Sequence, residues 1–491
     1  LEQTNYRAKL LWTPSDKWSV LASYWYWKHE TFSTFANDDY EFTPTYLDLV
    51  TLEQNIPAPA NSVFADSKNE LYGLTIRYEG DAFTFSSSTS YFENPVQEGQ
   101  PIAGFQTDSD FSTQETFAQE FKFTSISDGP WNWTIGAIYL DMKNQEDAVT
   151  FGFSEFFPEP VVVEETSDRF TSESWAIFGE SIHEFGDHWE FTLGLRYFAD
   201  ERDLEEINLP REPLLEALGI ENPNSADFDK LTGRVNLAWT PTGDSLYYAN
   251  IAQGFRSGGL NSPSAILDGE AIGIDLPSEI DPDLVTSYEL GGKWVMLDGS
   301  LNLESAIYYL EWEDIQTFTV FVGPQGNATG GALNGESATV LGFELGVTYV
   351  VGGLTLSASG NYNDNEYDGA IAGSGVEDGD PITNVPDLTW NLSGTYNWPM
   401  GELNGLAFLS ATYTDKRTDY FPPASRFTTD DVTFVSGRLG VEAERWSAYL
   451  TGENLTDEDG AVSTLAVLDE FGIPPYRFRP RTFGIELNYN F

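Results

Sequence analysis

Three histidines, no cysteine and a large excess of carboxylates limit the chemistry this 491-residue chain could attempt. His183 and His188 lie five residues apart across a predicted turn, so they could face each other over a hairpin and share a metal. A solvated turn is the better reading, because zinc-type spacing is absent, and His29 stands alone. The stretch "GFRSGG" (254–259) has the glycines of a phosphate-cradling loop, but it leaves a strand and enters a long loop, not a helix, so it fails the context that motif needs. "DNEYDG" (364–369) and "DEDG" (457–460) open like calcium loops, with oxygen ligands at alternate positions before a glycine. Neither has the later bidentate Glu in place, and both are better taken as acidic loop tips. No Ser/His/Asp arrangement appears either. The chain is not read as an enzyme, and neither a cofactor nor a resident metal is expected.

The elements that would position such residues are almost all strands. In "HWEFTLGLRYF" (188–198), Trp189, Phe191, Leu193, Leu195 and Tyr197 alternate with Glu190, Thr192, Gly194 and Arg196, a period of two. The same alternation recurs over 231–239 and 341–349. Helical periodicity is nearly absent; "PLLEALGI" (213–220) is one short exception inside a polar loop. The pattern gives about nineteen strands, many of ten or more residues and so longer than is usual in soluble sheets. Short turns such as 13–17, 184–188, 240–244, 297–300 and 351–353 alternate with long polar loops. The long loops are placed near 31–67, 94–112, 144–169, 201–227, 257–283, 319–336, 366–385, 416–429 and 456–478.

The tryptophans fit this layout. Trp12, Trp18, Trp131, Trp133, Trp189, Trp239, Trp294, Trp398 and Trp446 fall near short turns, whereas Trp25, Trp27, Trp175, Trp312 and Trp390 lean toward long loops. Two interfacial aromatic girdles would need that sorting. No run of eighteen apolar residues exists, which rules out a helical span. With no helices to cover the sheet, lipid is the natural cover for its apolar face, and a sheet in lipid must close to pair its edges. The expected fold is therefore all-β: a transmembrane antiparallel barrel whose lumen is faced by Glu190, Arg196, Arg234, Glu289, Lys293, Glu344 and Glu486. The chain ends in "FGIELNYNF", where Phe483, Ile485, Leu487, Tyr489 and Phe491 share one side of a closing strand. An odd strand count is unusual for a bacterial barrel and puts Leu1 on the long-loop side, so strands are expected to be missing before it.

The 78 acids and 24 bases leave a formal charge of −54, which repels nucleic acid. Loops 31–67 and 257–283 are acidic and hold essentially no Lys or Arg, while Arg77, Arg196, Arg234, Lys293 and Arg438 lie on polar strand faces. An acidic mouth disfavours highly anionic ligands.

Several stretches together resemble the barrel of TonB-dependent outer-membrane receptors. They are "SLYYANIAQGFRSGGLN" (245–261), "SYELGGKW" (287–294), "LNLESAIYYLEWEDIQ" (301–316), "LNGESATVLGFELGV" (333–347), "NVPDLTWNLSGTYNW" (384–398), "GENLTDED" (452–459) and "RPRTFGIELNYNF" (479–491). The resemblance implies a barrel of the twenty-two-stranded type, of which residues 1–491 would carry about nineteen, with the N-terminal plug and about three first strands missing. It further implies outer-membrane residence among lipopolysaccharide, assembly by the barrel-assembly machinery through the C-terminal strand, and energy coupling to the TonB complex through a missing N-terminal segment. The implied function is uptake of a scarce bulky nutrient, first a ferric siderophore, neutral or cationic by the charge argument. The alternatives are an oligosaccharide stacking on Phe151, Phe153, Phe156, Phe157 or Tyr420, and a passive pore or adhesion barrel.

Overall fold

A computed structural model of the chain describes residues 2–33, 63–102, 105–154, 157–207, 212–322, 328–371, 374–421, 425–463 and 476–490. One antiparallel sheet of nineteen strands dominates it. The first half comprises β1 (Glu2–Ser15), β2 (Trp18–Ser33), β3 (Val63–Glu79), β4 (Phe83–Ile102), β5 (Phe105–Ser125), β6 (Trp131–Ser154), β7 (Phe157–Phe185), β8 (Trp189–Ile207), β9 (Asn224–Thr242) and β10 (Ser245–Arg256). The second comprises β11 (Asp283–Met296), β12 (Leu301–Glu313), β13 (Ala338–Val351), β14 (Leu354–Tyr367), β15 (Leu388–Met400), β16 (Leu403–Thr414), β17 (Val432–Glu442), β18 (Trp446–Glu453) and β19 (Thr482–Tyr489). Each strand pairs with the next in the chain, so the order is a plain up-and-down meander. β1 and β19 are its two edges, each with one partner among the described residues. No described helix is long and apolar enough to cross a membrane.

Period-two alternation sorts every strand into an apolar and a polar face. Cross-strand pairs such as Phe121↔Ala137↔Ile177↔Tyr197↔Leu231 continue the apolar face from strand to strand. At the short-turn level the apolar face carries a belt of touching rings: Trp189 stacks on Trp239 at 5.7 Å, Trp239 meets Tyr247 at 5.4 Å, and Tyr247 meets Trp294 at 5.6 Å. All nine short-turn tryptophans lie on this face by register. The upper belt differs from expectation. Trp175 and Trp390 face outward, but Trp25, Trp27 and Trp312 pair with residues of the polar face, for example Trp25 with Arg7. Tyrosines hold the upper girdle instead, with Tyr24 against Tyr72 at 5.0 Å and Tyr6 against Tyr26 at 5.6 Å. Closeness to a long loop reports height along a strand; only parity reports the face.

Two of the expected long loops are strand over their described residues. Residues 94–102 and 105–112, and 144–154 and 157–169, continue the β4–β5 and β6–β7 hairpins, with pairing carried to Ile102↔Phe105 and Ser154↔Phe157. Segments such as "AVTFGF" (148–153) and "VVVEET" (161–166) are rich in strand-favouring residues, and a neighbouring strand satisfies their backbone groups. The other described loops fold on themselves. The helix Glu212–Leu218 falls where the sequence placed it, and a second helix, Pro263–Ile272, was not anticipated. Ser262 caps it by accepting from Ala265 N, Pro263 opens it, and Gly273 at φ +85° ends it, all signals present in the sequence.

Candidate functional site on the polar face

The register places Glu190, Arg196, Arg234, Glu289, Lys293, Glu344 and Glu486 on one continuous face, the polar one. β8 brings Glu190 and Arg196, and Arg234 on β9 stands opposite Gly194, 3.7 Å from the Glu180 carboxylate. Arg196 lies over the Phe198 ring at 5.9 Å. The densest part of the wall spans β10–β14. There Tyr248 OH donates to Glu289, and Asn361 Nδ2 donates to Tyr308 OH at 2.9 Å and to Glu344 at 3.2 Å. Lys293 lies 3.7 Å from Glu304. Tyr248, Lys293, Glu304, Glu344, Asn361 and Asn391 line an open hollow of about 500 Å³. Tyr248 in this hollow and Tyr308 beside it each lie across a facing glycine: a Cβ on Gly342 would come within 2.0 Å of Tyr308, and one on Gly291 within 2.4 Å of Tyr248. The sequence reading passed over these Gly–Tyr pairs; alternating Gly on a polar face was the signal.

Above the wall, long connections build a rim. Asp283, buried at the start of β11, accepts from Arg256, from Trp312 Nε1 at 3.0 Å and from the Arg256 backbone N–H at 3.0 Å, while the Arg256 guanidinium lies 5.1 Å from the Trp312 ring. Burial pushes the Asp283 carboxyl up, yet the Arg256 and Trp312 hydrogen bonds outweigh it and hold the group below its ordinary value. Trp312 is therefore a clamp residue. Asn261 bridges further segments, donating to Pro277 O at 2.7 Å and Ala332 O at 2.6 Å and accepting from Ala332 N at 2.7 Å. Ile315, Ala338, Tyr367, Ile371, Val376 and Ile382 form a small apolar core among these connections.

Other candidates have structural employment. Tyr420, half-buried, packs on that core and donates to Pro381 O at 2.9 Å. The side chains of Phe151, Phe153 and Phe157, and all of Phe156, lie outside the described residues, as do Leu1 and Phe491. In "DEDG", Asp457 pairs with Arg481 at 3.1 Å and Glu458 accepts from Thr433 N at 3.3 Å. In "DNEYDG", Asp368 accepts from Ser337 and Thr339. His183 stacks near Phe185 at 6.3 Å, and no cluster of three or more potential metal ligands occurs among the described residues. Phe483, Ile485, Leu487 and Tyr489 stand on the apolar face of β19, exposed by 72%, 73%, 74% and 56% on an otherwise unpaired edge.

The family described as TonB dependent receptor-like, beta-barrel matches residues 26–455. A probable TonB-dependent siderophore receptor, PiuA of Acinetobacter baumannii, is 28% identical over 235 residues, which is 46% of this chain and 29% of that protein. The match thus spans less than a third of the relative's own length. Among solved structures, the ferric yersiniabactin uptake receptor FyuA from Yersinia pestis superposes with a TM-score of 0.74 at 14% identity, covering 100% of this chain and 71% of that one. The siderophore receptor PiuA from Acinetobacter baumannii gives 0.71 at 16% identity, covering 99% and 74%. At these identities the likeness shows the fold, a membrane barrel. The chain belongs to the TonB dependent receptor-like, beta-barrel family and is an outer-membrane β-barrel.

Proposed function

We propose that this chain is the barrel of a TonB-energised importer, and that its cargo is a ferric siderophore. The observation that carries the reading is the match of residues 26–455 to the receptor barrel family, a family of transport receptors, together with a relative whose name is that of a siderophore receptor. The polar face of the sheet suits the role: it offers hydrogen-bonding side chains at the hollow and two tryptophans, Trp25 and Trp27, half-exposed at the height of the upper girdle. In this reading the seven charged residues face the lumen, a plug occupies it, and three further strands pair with the edges of β1 and β19, closing backbone groups that would otherwise cost several kcal/mol each in lipid. The plug would contact the TonB complex. The apolar residues of β19 would serve recognition by the barrel-assembly machinery, and the outer rim would meet lipopolysaccharide.

Charge narrows the cargo. A mouth with an excess of carboxylates favours neutral or cationic ferric chelates over triply anionic ones, an effect weakened by salt. The test is binding of neutral, cationic and anionic ferric chelates to the protein in native outer membranes at seawater ionic strength, with iron-limited growth of a deletion strain alongside. Tight binding of a neutral or cationic chelate, weakened about tenfold by Trp27→Ala through lost ring contact, is expected. Binding of the anionic chelate alone would overturn the charge reading, and no binding or growth defect with any ferric chelate would overturn the siderophore reading.

A further inference from the structure

The polar face carries side-chain amides on both halves of the sheet, and the two halves use them differently. On β14 and β15 the wall itself takes them up: Asn361 donates to Tyr308 and Glu344, Asn363 accepts from Tyr308 OH, and Asn391 donates to Thr412 at 2.7 Å. On β3–β6 four amides form a level row. Asn69 stands opposite Trp27, Asn94 opposite Gln114, and Gln114 opposite Asn144, while the pairing of Ser67 with Val96 and of Glu70 with Glu93 brings Asn69 level with Asn94. Phe170 follows Asn144 on β7, so an aromatic ring closes each end.

Protein partners for this row are few. Among the described residues, Asn69 Nδ2 reaches only the Trp27 carbonyl, at 3.5 Å, and Gln114 Nε2 only the Met142 sulfur, at 3.6 Å. Asn94 Oδ1 and, one level below it, Thr116 Oγ1 are buried and have no hydrogen-bond partner among the described residues. A buried polar atom left unmatched is costly and rare, and it calls for a cause. Asn94 lies three residues beyond Tyr91, a ring of the upper girdle, so the row stands roughly 10 Å above that belt, on the side of the long connections. Neighbouring strands are about 4.8 Å apart, so the four amides span about 14 Å, and no charged residue interrupts them.

Resting on the siderophore reading, and narrowing it, we propose that this row binds the organic scaffold of the cargo, and that the cargo is an uncharged ferric trihydroxamate whose scaffold carries amide N–H groups. Three singly charged hydroxamates neutralise a ferric ion, whereas three catecholates leave it triply anionic, so the first class suits both an uncharged row and an acidic mouth. Each carboxamide offers two N–H donors and one carbonyl acceptor. The N–H groups of Asn69, Gln114 and Asn144 meet hydroxamate and amide oxygens, and the unmatched Asn94 Oδ1 takes a scaffold N–H, a donor that a simple carboxylate chelate lacks. Trp27 and Phe170 bound the seat at its two ends.

The test is binding, in native outer membranes, of neutral ferric trihydroxamates on cyclic-peptide and linear-amide scaffolds, with a ferric tricatecholate and ferric citrate for comparison. It is run on the parent, on Asn94→Leu and Gln114→Met, and on Gln145→Leu, which alters an amide on the same strand as Asn144 but of opposite parity. Thermal unfolding without ligand is followed alongside. Each row variant should weaken trihydroxamate binding about three- to tenfold, and Gln145→Leu should leave it unchanged. Ligand-free unfolding should stay in place or shift upward in Asn94→Leu, because no protein hydrogen bond is lost at Asn94 Oδ1. Unchanged affinity in both row variants would overturn the proposal, as would tighter binding of the tricatecholate than of any trihydroxamate. A loss of ligand-free stability in both row variants would also overturn it, since the row would then be serving another part of the protein. Absence of binding by every ferric chelate is a different failure: it would bring down the siderophore reading, and the proposal with it.

Discussion

β4–β7 and β8–β16 meet the same requirement, long connections on one side of a sheet, in opposite ways. On β4–β7 the chain keeps pairing as far as Ile102↔Phe105 and Ser154↔Phe157, making tall ribbons. Along β8–β16 it stops pairing early and uses the remaining length for helices, short hairpins and buried asparagines that lock neighbouring segments together. The difference teaches that height above the membrane can be held in two ways: by backbone ladders, which tolerate substitution of any one side chain, or by a few interior contacts, which do not.

The sharpest way to break this comparison is at Tyr367, 4% exposed within the small core and hydrogen-bonded to Thr383 at 3.0 Å. Tyr367→Ala should cost about 3–5 kcal/mol locally. Hydrogen exchange should then accelerate over 368–387 and leave 131–185 unchanged; unchanged exchange over 368–387 would remove the distinction between ribbon and packed rim.

A smaller effect is expected at Asp283. Asp283→Asn should loosen the rim by about 2 kcal/mol, a value discounted because Arg256 is half-exposed. The depressed Asp283 carboxyl stabilises the rim above its ordinary value of 3.8, and that stabilisation fades as pH falls through the folded value. Limited proteolysis of the rim against pH should therefore show an acid phase in the parent that is missing in the variant.

The least effect belongs to the ribbons. Lys143 is well exposed and lies 3.7 Å from a partly exposed Asp141, so Lys143→Ala should change stability by no more than about 0.5 kcal/mol in thermal unfolding. A drop several times larger would mean that the ribbons rest on specific side-chain contacts after all.

Strand number and facing were legible in the sequence because period two is a local signal, and the Glu190–Arg196 alternation already fixes which side chains share a face. Trp25, Trp27 and Trp312 lie on the polar face despite their nearness to long loops, because that nearness sets height along the strand and not the face. The helix Pro263–Ile272 was legible in principle from Ser262, Pro263 and Gly273, but ten residues without amphipathic spacing gave no periodic signal. Ile315, Tyr367 and Ile382 come from different stretches of chain, and nothing local announces that they meet. The Gly342–Tyr308 approach is of the same kind, since it joins residues 34 apart through register alone.

The meander has one consequence for how the molecule comes into being. Because each strand pairs only with its sequence neighbours, the sheet can grow one hairpin at a time, every new strand finding its template already in place at the advancing edge. No interior strand has to wait, unpaired, for a partner from a distant part of the chain. The growing front is a single strand wide, and that narrowness limits how much unpaired backbone is exposed at any moment as the sheet extends.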